Sequence, residues 1–141
     1  MNTFSPELQL FLSIAKIQTL MSRKFDSALS GLSEDEFILL SLLYAAPDKR
    51  MRRIDLVNSS GFTLAGLTRL FLPMEKLGLV SREESKKDAR MSYIILAVGG
   101  ERKLEGAIEK AEKLISGILS EENKGETEKL LASLKKLEKT I

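Results

Sequence analysis

The sequence predicts a mainly α-helical fold with one small β-hairpin, on three observations. Apolar residues recur at helical spacing over most of the 141 positions. Helix-start signals stand just ahead of those stripes, at Ser5, Ser33 and Thr63. One stretch reads as strands: LVSREE (79–84) and MSYIIL (91–96), separated by the polar SKKDAR. A chain of this length normally forms one domain and buries roughly 68–70% of its unfolded surface.

The first helix opens at Ser5-Pro6-Glu7, with a hydroxyl at the cap, proline at the first helical position and an acid in the first turn. Its apolar stripe runs through Leu10, Ile14, Ile17, Met21, Phe25 and Ala28, with Gly31 as the expected stop. A second stripe, Leu8, Phe11, Leu12 and Ala15, lies on another side. A helix apolar on two sides has to bury both, which in so small a domain points to a second subunit. Ser33-Glu34-Asp35-Glu36 is a capping box for the helix FILLSLLYAA, which stops before Pro47.

A short helix is expected over 51–58, then a turn at Ser59-Ser60-Gly61-Phe62, then a helix capped by Thr63. That helix, Leu64 to Leu77, offers Leu67, Leu70, Phe71, Met74 and Leu77 to a core. Ala65, Thr68, Arg69, Leu72 and Lys76 lie on its other face, and Gly78 ends it. Pro73 in its middle removes one backbone hydrogen bond and should kink it. The hairpin follows, with a basic tip. Gly99-Gly100 reads as a break, and the rest is helical: Leu104 to Leu119, a bend over 120–125, and Leu130, Leu131, Leu134, Leu137 and Ile141. Two short helices, the second free on one face, followed by a hairpin, make a winged helix-turn-helix over 33–98. Residues 1–32 and 99–141 supply flanking helices.

Composition excludes several chemistries. Cys, His and Trp are absent, which removes disulfides, Cys/His zinc and iron–sulfur sites, thiol redox sensing and Ser-His-Asp or Cys-His catalysis. No metal and no cofactor is expected, and no convergent set of acid, base and orienting groups points to an enzyme. The N-terminal apolar runs are broken by Gln9, Ser13, Lys16 and Gln18, so neither a signal peptide nor a membrane span is expected, and the cytoplasm is the default location. The net charge of +2 is uneven along the chain. Residues 1–48 carry three basic and six acidic side chains, residues 49–90 ten and five, residues 91–141 nine of each. All of the positive excess lies in the central segment, the pattern of a polyanion-binding module, although chance clustering on a solvated surface would give the same sum.

The segments LSEDEFILLSLL, DLVNSSGFTLAGLTRLFLPMEKLGLV and SREESKKDARMSYIILAVGG resemble the multiple-antibiotic-resistance regulator (MarR) family of bacterial transcription factors. The most specific parts are TRLFLPMEKLGLV (68–80) and Asp88-x-Arg90 in the wing. The resemblance implies an obligate homodimer with interleaved terminal helices, bound to double-stranded DNA. A recognition helix would enter each major groove and a wing each flanking minor groove. It also implies repression relieved by a small aromatic or anionic effector. Where the family usually writes Leu-Thr-x-x-Gly after the wing, this chain has Leu96-Ala97-Val98-Gly99-Gly100, without the capping hydroxyl. The peroxide-sensing branch needs a cysteine and is excluded.

On that reading the recognition helix acts through Thr63, Ala65, Gly66, Thr68, Arg69 and Lys76. Arg69 can reach guanine O6 and N7 or a phosphate, and small Ala65 and Gly66 allow close approach, although Gly66 is also explained by simple tolerance. In the wing, Asp88 orients Arg90 for the minor groove, with a surface ion pair as the alternative; Arg82, Lys86 and Lys87 are further candidates, the lysines for phosphate. Arg52 and Arg53 are candidate phosphate contacts, equally explained as a solvated helix end. Phe11, Met21, Phe25, Phe37, Phe71 and Met74 are expected in the core, some of them beside an effector pocket, where Tyr44 could meet a carboxylate. The alternative to a DNA-binding regulator is a winged-helix module used only for protein–protein contact.

Overall fold

The computed structural model describes residues 3–84, 86–88, 91–119 and 124–141. In chain order these form α1 (Pro6–Phe25), α2 (Glu34–Ala45), a 3-10 turn at Pro47–Lys49, β1 (Arg50–Arg52), α3 (Arg53–Ser60), α4 (Leu64–Lys76), β2 (Val80–Glu83), β3 (Tyr93–Leu96), α5 (Val98–Ile118) and α6 (Lys124–Thr140).

The helix starts follow the local chemistry of their caps. The Ser5 hydroxyl accepts from Leu8 N–H at 3.2 Å. Ser33 and Glu36 complete the capping box, with Glu36 N–H donating to Ser33 Oγ at 3.1 Å and Ser33 N–H to Glu36 Oε1 at 2.8 Å. Thr63 Oγ1 accepts from Gly66 N–H at 3.0 Å. Each bond satisfies a backbone donor that the first helical turn leaves without a partner.

The core is built around α2, whose Leu39, Leu40 and Leu43 are wholly buried against α5, α3 and β3. Leu56, Leu67, Phe71, Met74, Ile94 and Leu104 close around them, and Leu29 and Leu32 plug the side towards α1. By contrast α1 and α6 bury none of their residues.

The structure departs from the sequence reading at several places. The helix read over 51–58 is instead a strand at 50–52 followed by a helix at 53–60. β1 pairs antiparallel with β3, Met51 opposite Ile94, so the expected two-stranded hairpin is a three-stranded sheet of order β1-β3-β2. The left-handed Asp48 and Lys49 (φ 57° and 53°) turn the chain into that edge strand. Helix α1 ends at Phe25, six residues before Gly31, because Ser27 and Ser30 adopt positive φ (62° and 55°) and swing Leu29 into the core. Leu77 is 69% exposed: α4 ends at Lys76, and Gly78 at φ 75° reverses the chain so that Leu79 is buried in its place.

Gly99 and Gly100 do not break the chain. They lie in the first turn of α5, which starts without a side-chain cap at Ala97. Gly100 is required there by close approach: a Cβ would sit 2.0 Å from the carbonyl oxygen of Leu79. The bend expected over 120–125 lies mostly outside the described residues.

Candidate nucleic-acid interface

Helices α3 and α4 form the helix-turn-helix. Gly61, left-handed at φ 78°, closes α3, and Phe62 N–H donates to Ser60 Oγ at 3.0 Å across the turn. Leu67, Phe71 and Met74 anchor α4 in the core, and this fixes which side of it faces outward. Ala65, Arg69, Leu72, Pro73 and Lys76 are exposed on that side. Pro73 therefore leaves its unmade backbone bond on the wet face, where water can complete it, and α4 runs unbroken to Lys76.

The expected recognition residues fall into two groups. Thr63, Ala65, Arg69 and Lys76 are exposed, and among the described residues neither Arg69 nor Lys76 has an ion-pair partner. Thr68 and Gly66 are half-buried and also make contacts within the helix. The Thr68 hydroxyl, half-buried, donates to the Leu64 carbonyl at 3.0 Å. A Cβ at Gly66 would crowd Thr63 Oγ1 at 3.0 Å, the atom that caps the helix.

The basic residues of the central segment divide in the same way. Arg52 lies against Asp55, Nε 2.8 Å from Oδ2 and Nη2 3.3 Å from Oδ1, and this bond raises its pKa above the ordinary arginine value. Both side chains of this pair are about two-fifths exposed, so Asp55 holds the guanidinium at the surface. Arg82 is likewise engaged, between Glu75 at 3.3 Å and Glu84 at 3.0 Å. Arg53 keeps a buried Nε with no hydrogen-bond partner among the described residues, its guanidinium 5.8 Å from the Phe71 ring centroid. Lys86 and Lys87 are exposed at the wing tip, and Asp88 is half-buried beside them, its carbonyl accepting from Met91 N–H at 3.0 Å. Arg90 lies outside the described residues.

Sequence reasoning missed two cations beside the wing base. Arg50 pairs with Glu83 at 3.2 Å and stacks on Tyr93 with its guanidinium 3.9 Å from the ring centroid. Lys49 bonds Glu101 at the start of α5, which raises its pKa, and its ammonium lies 5.1 Å from the centroid of Tyr44. The strand at 50–52 places Arg50 and the turn just before it places Lys49, and no local signal announces that strand.

Away from this face, α1 and α6 enclose an apolar cleft of about 640 Å³ lined by Leu10, Phe11, Ile14, Leu134, Leu137 and Ile141. A second cleft of about 580 Å³, between α1 and the end of α5, is lined by Ile17, Leu20, Met21 and Ile118, with Arg23 and Lys24 on its wall. Of the residues expected in a core, Phe71 and Met74 are buried, Phe25 and Phe37 pack partly against them, and Phe11 is 64% exposed. Among the described residues no carboxylate cluster could hold a metal ion, and no helix is long and apolar enough to cross a membrane.

No family model matches the chain. It is 32% identical over 138 residues to the HTH-type transcriptional repressor YetL of Bacillus subtilis (strain 168), covering 94% of this chain and 83% of that one. Its fold is that of Sco3205, a MarR family transcriptional regulator from Streptomyces coelicolor solved in complex with DNA. That likeness has a TM-score of 0.72 at 23% identity and covers 95% of this chain and 89% of the other. The organohalide-sensing transcriptional regulator RdhR-CbdbA1625, solved with 2,4-dichlorophenol bound, aligns with a TM-score of 0.81 at 20% identity, over 98% of this chain and 82% of that one.

Proposed function

Because the chain belongs to the MarR family of DNA-binding winged helix-turn-helix transcriptional regulators, we propose that it is a homodimeric repressor of a pseudo-palindromic operator. The observation that carries this reading is the outer face of α4. It is capped at Thr63, smooth at Ala65, and armed with Arg69 and Lys76, neither ion-paired within the described chain. Arg69 would read a guanine in the major groove, and Lys76 would meet a phosphate. Thr63 and Ala65 would lie against the backbone and base edges. Lys86, Lys87 and Arg90 would follow the flanking minor groove and its phosphates, with Asp88 steadying the wing. Arg53 remains a candidate phosphate contact, since its guanidinium lacks a carboxylate partner among the described residues.

Residues 1–32 and 99–141 would form the dimerisation region around the winged helix-turn-helix of 33–98. The apolar faces of α1 and α6 support this, since Leu8, Leu10, Phe11, Ile17, Leu130 and Leu131 are all more than two-fifths exposed in the single chain. Burial at roughly 25 cal/mol per Å² favours covering them with a second copy. The half-sites would lie about one helical turn apart. A small aromatic or anionic effector is supported by the second cleft, apolar with Arg23 and Lys24 on its wall. The protein would work where the chromosome is, in the cytoplasm, and as a regulator with no reaction of its own. In a retardation assay on the DNA upstream of its own gene, a discrete complex is expected at low salt. No bound species under those conditions would overturn the proposal.

A further inference from the structure

Arg82, a candidate DNA contact of the wing, has two carboxylate partners within the fold. It is the third residue of β2, and its guanidinium is held from two sides. Nε lies 3.3 Å from Glu75 Oε2 on the last turn of α4, and Nη1 lies 3.0 Å from Glu84 Oε1 at the start of the wing loop. Its carbon lies 5.7 Å from the centroid of Phe71, which is wholly buried and gives the fork a fixed floor. Only Leu77, Gly78 and Leu79 join α4 to β2. One side chain thus ties the recognition helix, the sheet and the root of the wing together.

We infer that Arg82 is a positioning residue that sets the angle between wing and recognition helix, with Glu75 as its anchor on the helix. The inference rests on the DNA-binding reading above. Specific docking needs the helix and the wing seated in two grooves at once. A small rotation at the root of the hairpin becomes a larger displacement at Lys86 and Lys87. The planar fork of an arginine can bridge two carboxylates, which the single charged nitrogen of a lysine does poorly. Two carboxylates beside one guanidinium also leave a local excess of negative charge, which repels a phosphate.

Variants distinguish positioning from phosphate contact by sign. Glu75→Gln removes a negative charge near the nucleic acid, so a simple charge effect raises affinity for every duplex and leaves the preference for operator unchanged. Positioning predicts the opposite for the preference: the ratio of operator to unrelated-duplex affinity falls by about threefold or more, the scale of one surface ion pair. Arg82→Gln lowers the same ratio while the slope of log affinity against log salt stays at the wild-type value. Arg82→Lys, which keeps the charge, does not restore the ratio.

The measurement is fluorescence anisotropy with a duplex enriched from a random pool by the wild-type protein, against a shuffled duplex, across a salt series. Thermal melting of each variant establishes that it is folded. A slope reduced by about 0.9 in Arg82→Gln marks a lost phosphate contact and overturns the inference while leaving DNA binding intact. An unchanged ratio in Glu75→Gln also overturns it. A wild-type protein that prefers no duplex overturns the DNA-binding reading and this inference with it.

Discussion

Arg69 and Arg82 have the same charge and opposite surroundings. Arg69 stands out from α4 without an ion-pair partner among the described residues, and Arg82 is bracketed by Glu75 and Glu84. Replacing Arg69 with alanine should relax base preference at one operator position by about 1–3 kcal/mol, read from affinities for single-base variants of the duplex. An unchanged profile would remove its base-reading role. Gly100 is a second residue whose identity the fold dictates. Its missing Cβ leaves room for the Leu79 carbonyl, so Gly100→Ala should lower stability by about 1–3 kcal/mol, towards the upper end because the obstacle is backbone, and denaturant midpoints would measure it. The sequence made Arg69 legible because its face of α4 follows from helical period. Asp55 stands three residues from Arg52, a spacing visible in sequence, whereas Glu75 meets Arg82 only through three-dimensional geometry, and Gly99-Gly100 reads as a break because close approach to another element leaves no local mark.

Elements with chemical punctuation at their ends were legible in sequence. Ser5, Ser33 and Thr63 all cap the helices they precede, and both bonds of the capping box at Ser33 form. Ser33→Ala should therefore cost about 0.5–2 kcal/mol of stability, visible as a lowered melting temperature, with the DNA-binding face undisturbed. A melting temperature equal to wild type would show that the cap contributes nothing. β1 had no such punctuation. Arg50-Met51-Arg52 is too short to display a period of two, and it becomes a strand only because β3 offers an open edge. The sequence reading carries α1 too far because Ala28 continues its apolar stripe, which the left-handed Ser27 and Ser30 abandon. α5 forms without the family's threonine: the backbone N–H of Ala97 donates to the Leu79 carbonyl at 3.1 Å, fixing the helix start against the sheet.

For the whole molecule, the distribution of apolar surface and charge carries the argument. The core of residues 29–111 is closed, whereas α1 and α6 present leucines, isoleucines and phenylalanines outward. Two-sided apolar patterning in α1 was readable from sequence, and the structure adds that α6 shares its cleft. Phe11→Glu places a charge on that surface without touching the core. It should leave the winged region folded and shift sedimentation from dimer to monomer at micromolar concentration; a variant that sediments as wild type would place the interface elsewhere. The ten basic residues of the central segment divide in the same way: Lys49, Arg50, Arg52 and Arg82 each face a carboxylate, and Arg53, Arg69 and Lys76 face none among the described residues. The most direct test of a sequence-reading DNA-binding dimer is selection from a random duplex pool followed by a salt titration of the winner. The account predicts a two-fold-symmetric motif with half-sites about one helical turn apart, bound at least about 10³-fold more tightly than unrelated DNA, with affinity falling by a log–log slope of roughly −0.9 per phosphate neutralised. Recovery of no motif, with equal affinity for all duplexes, would contradict it.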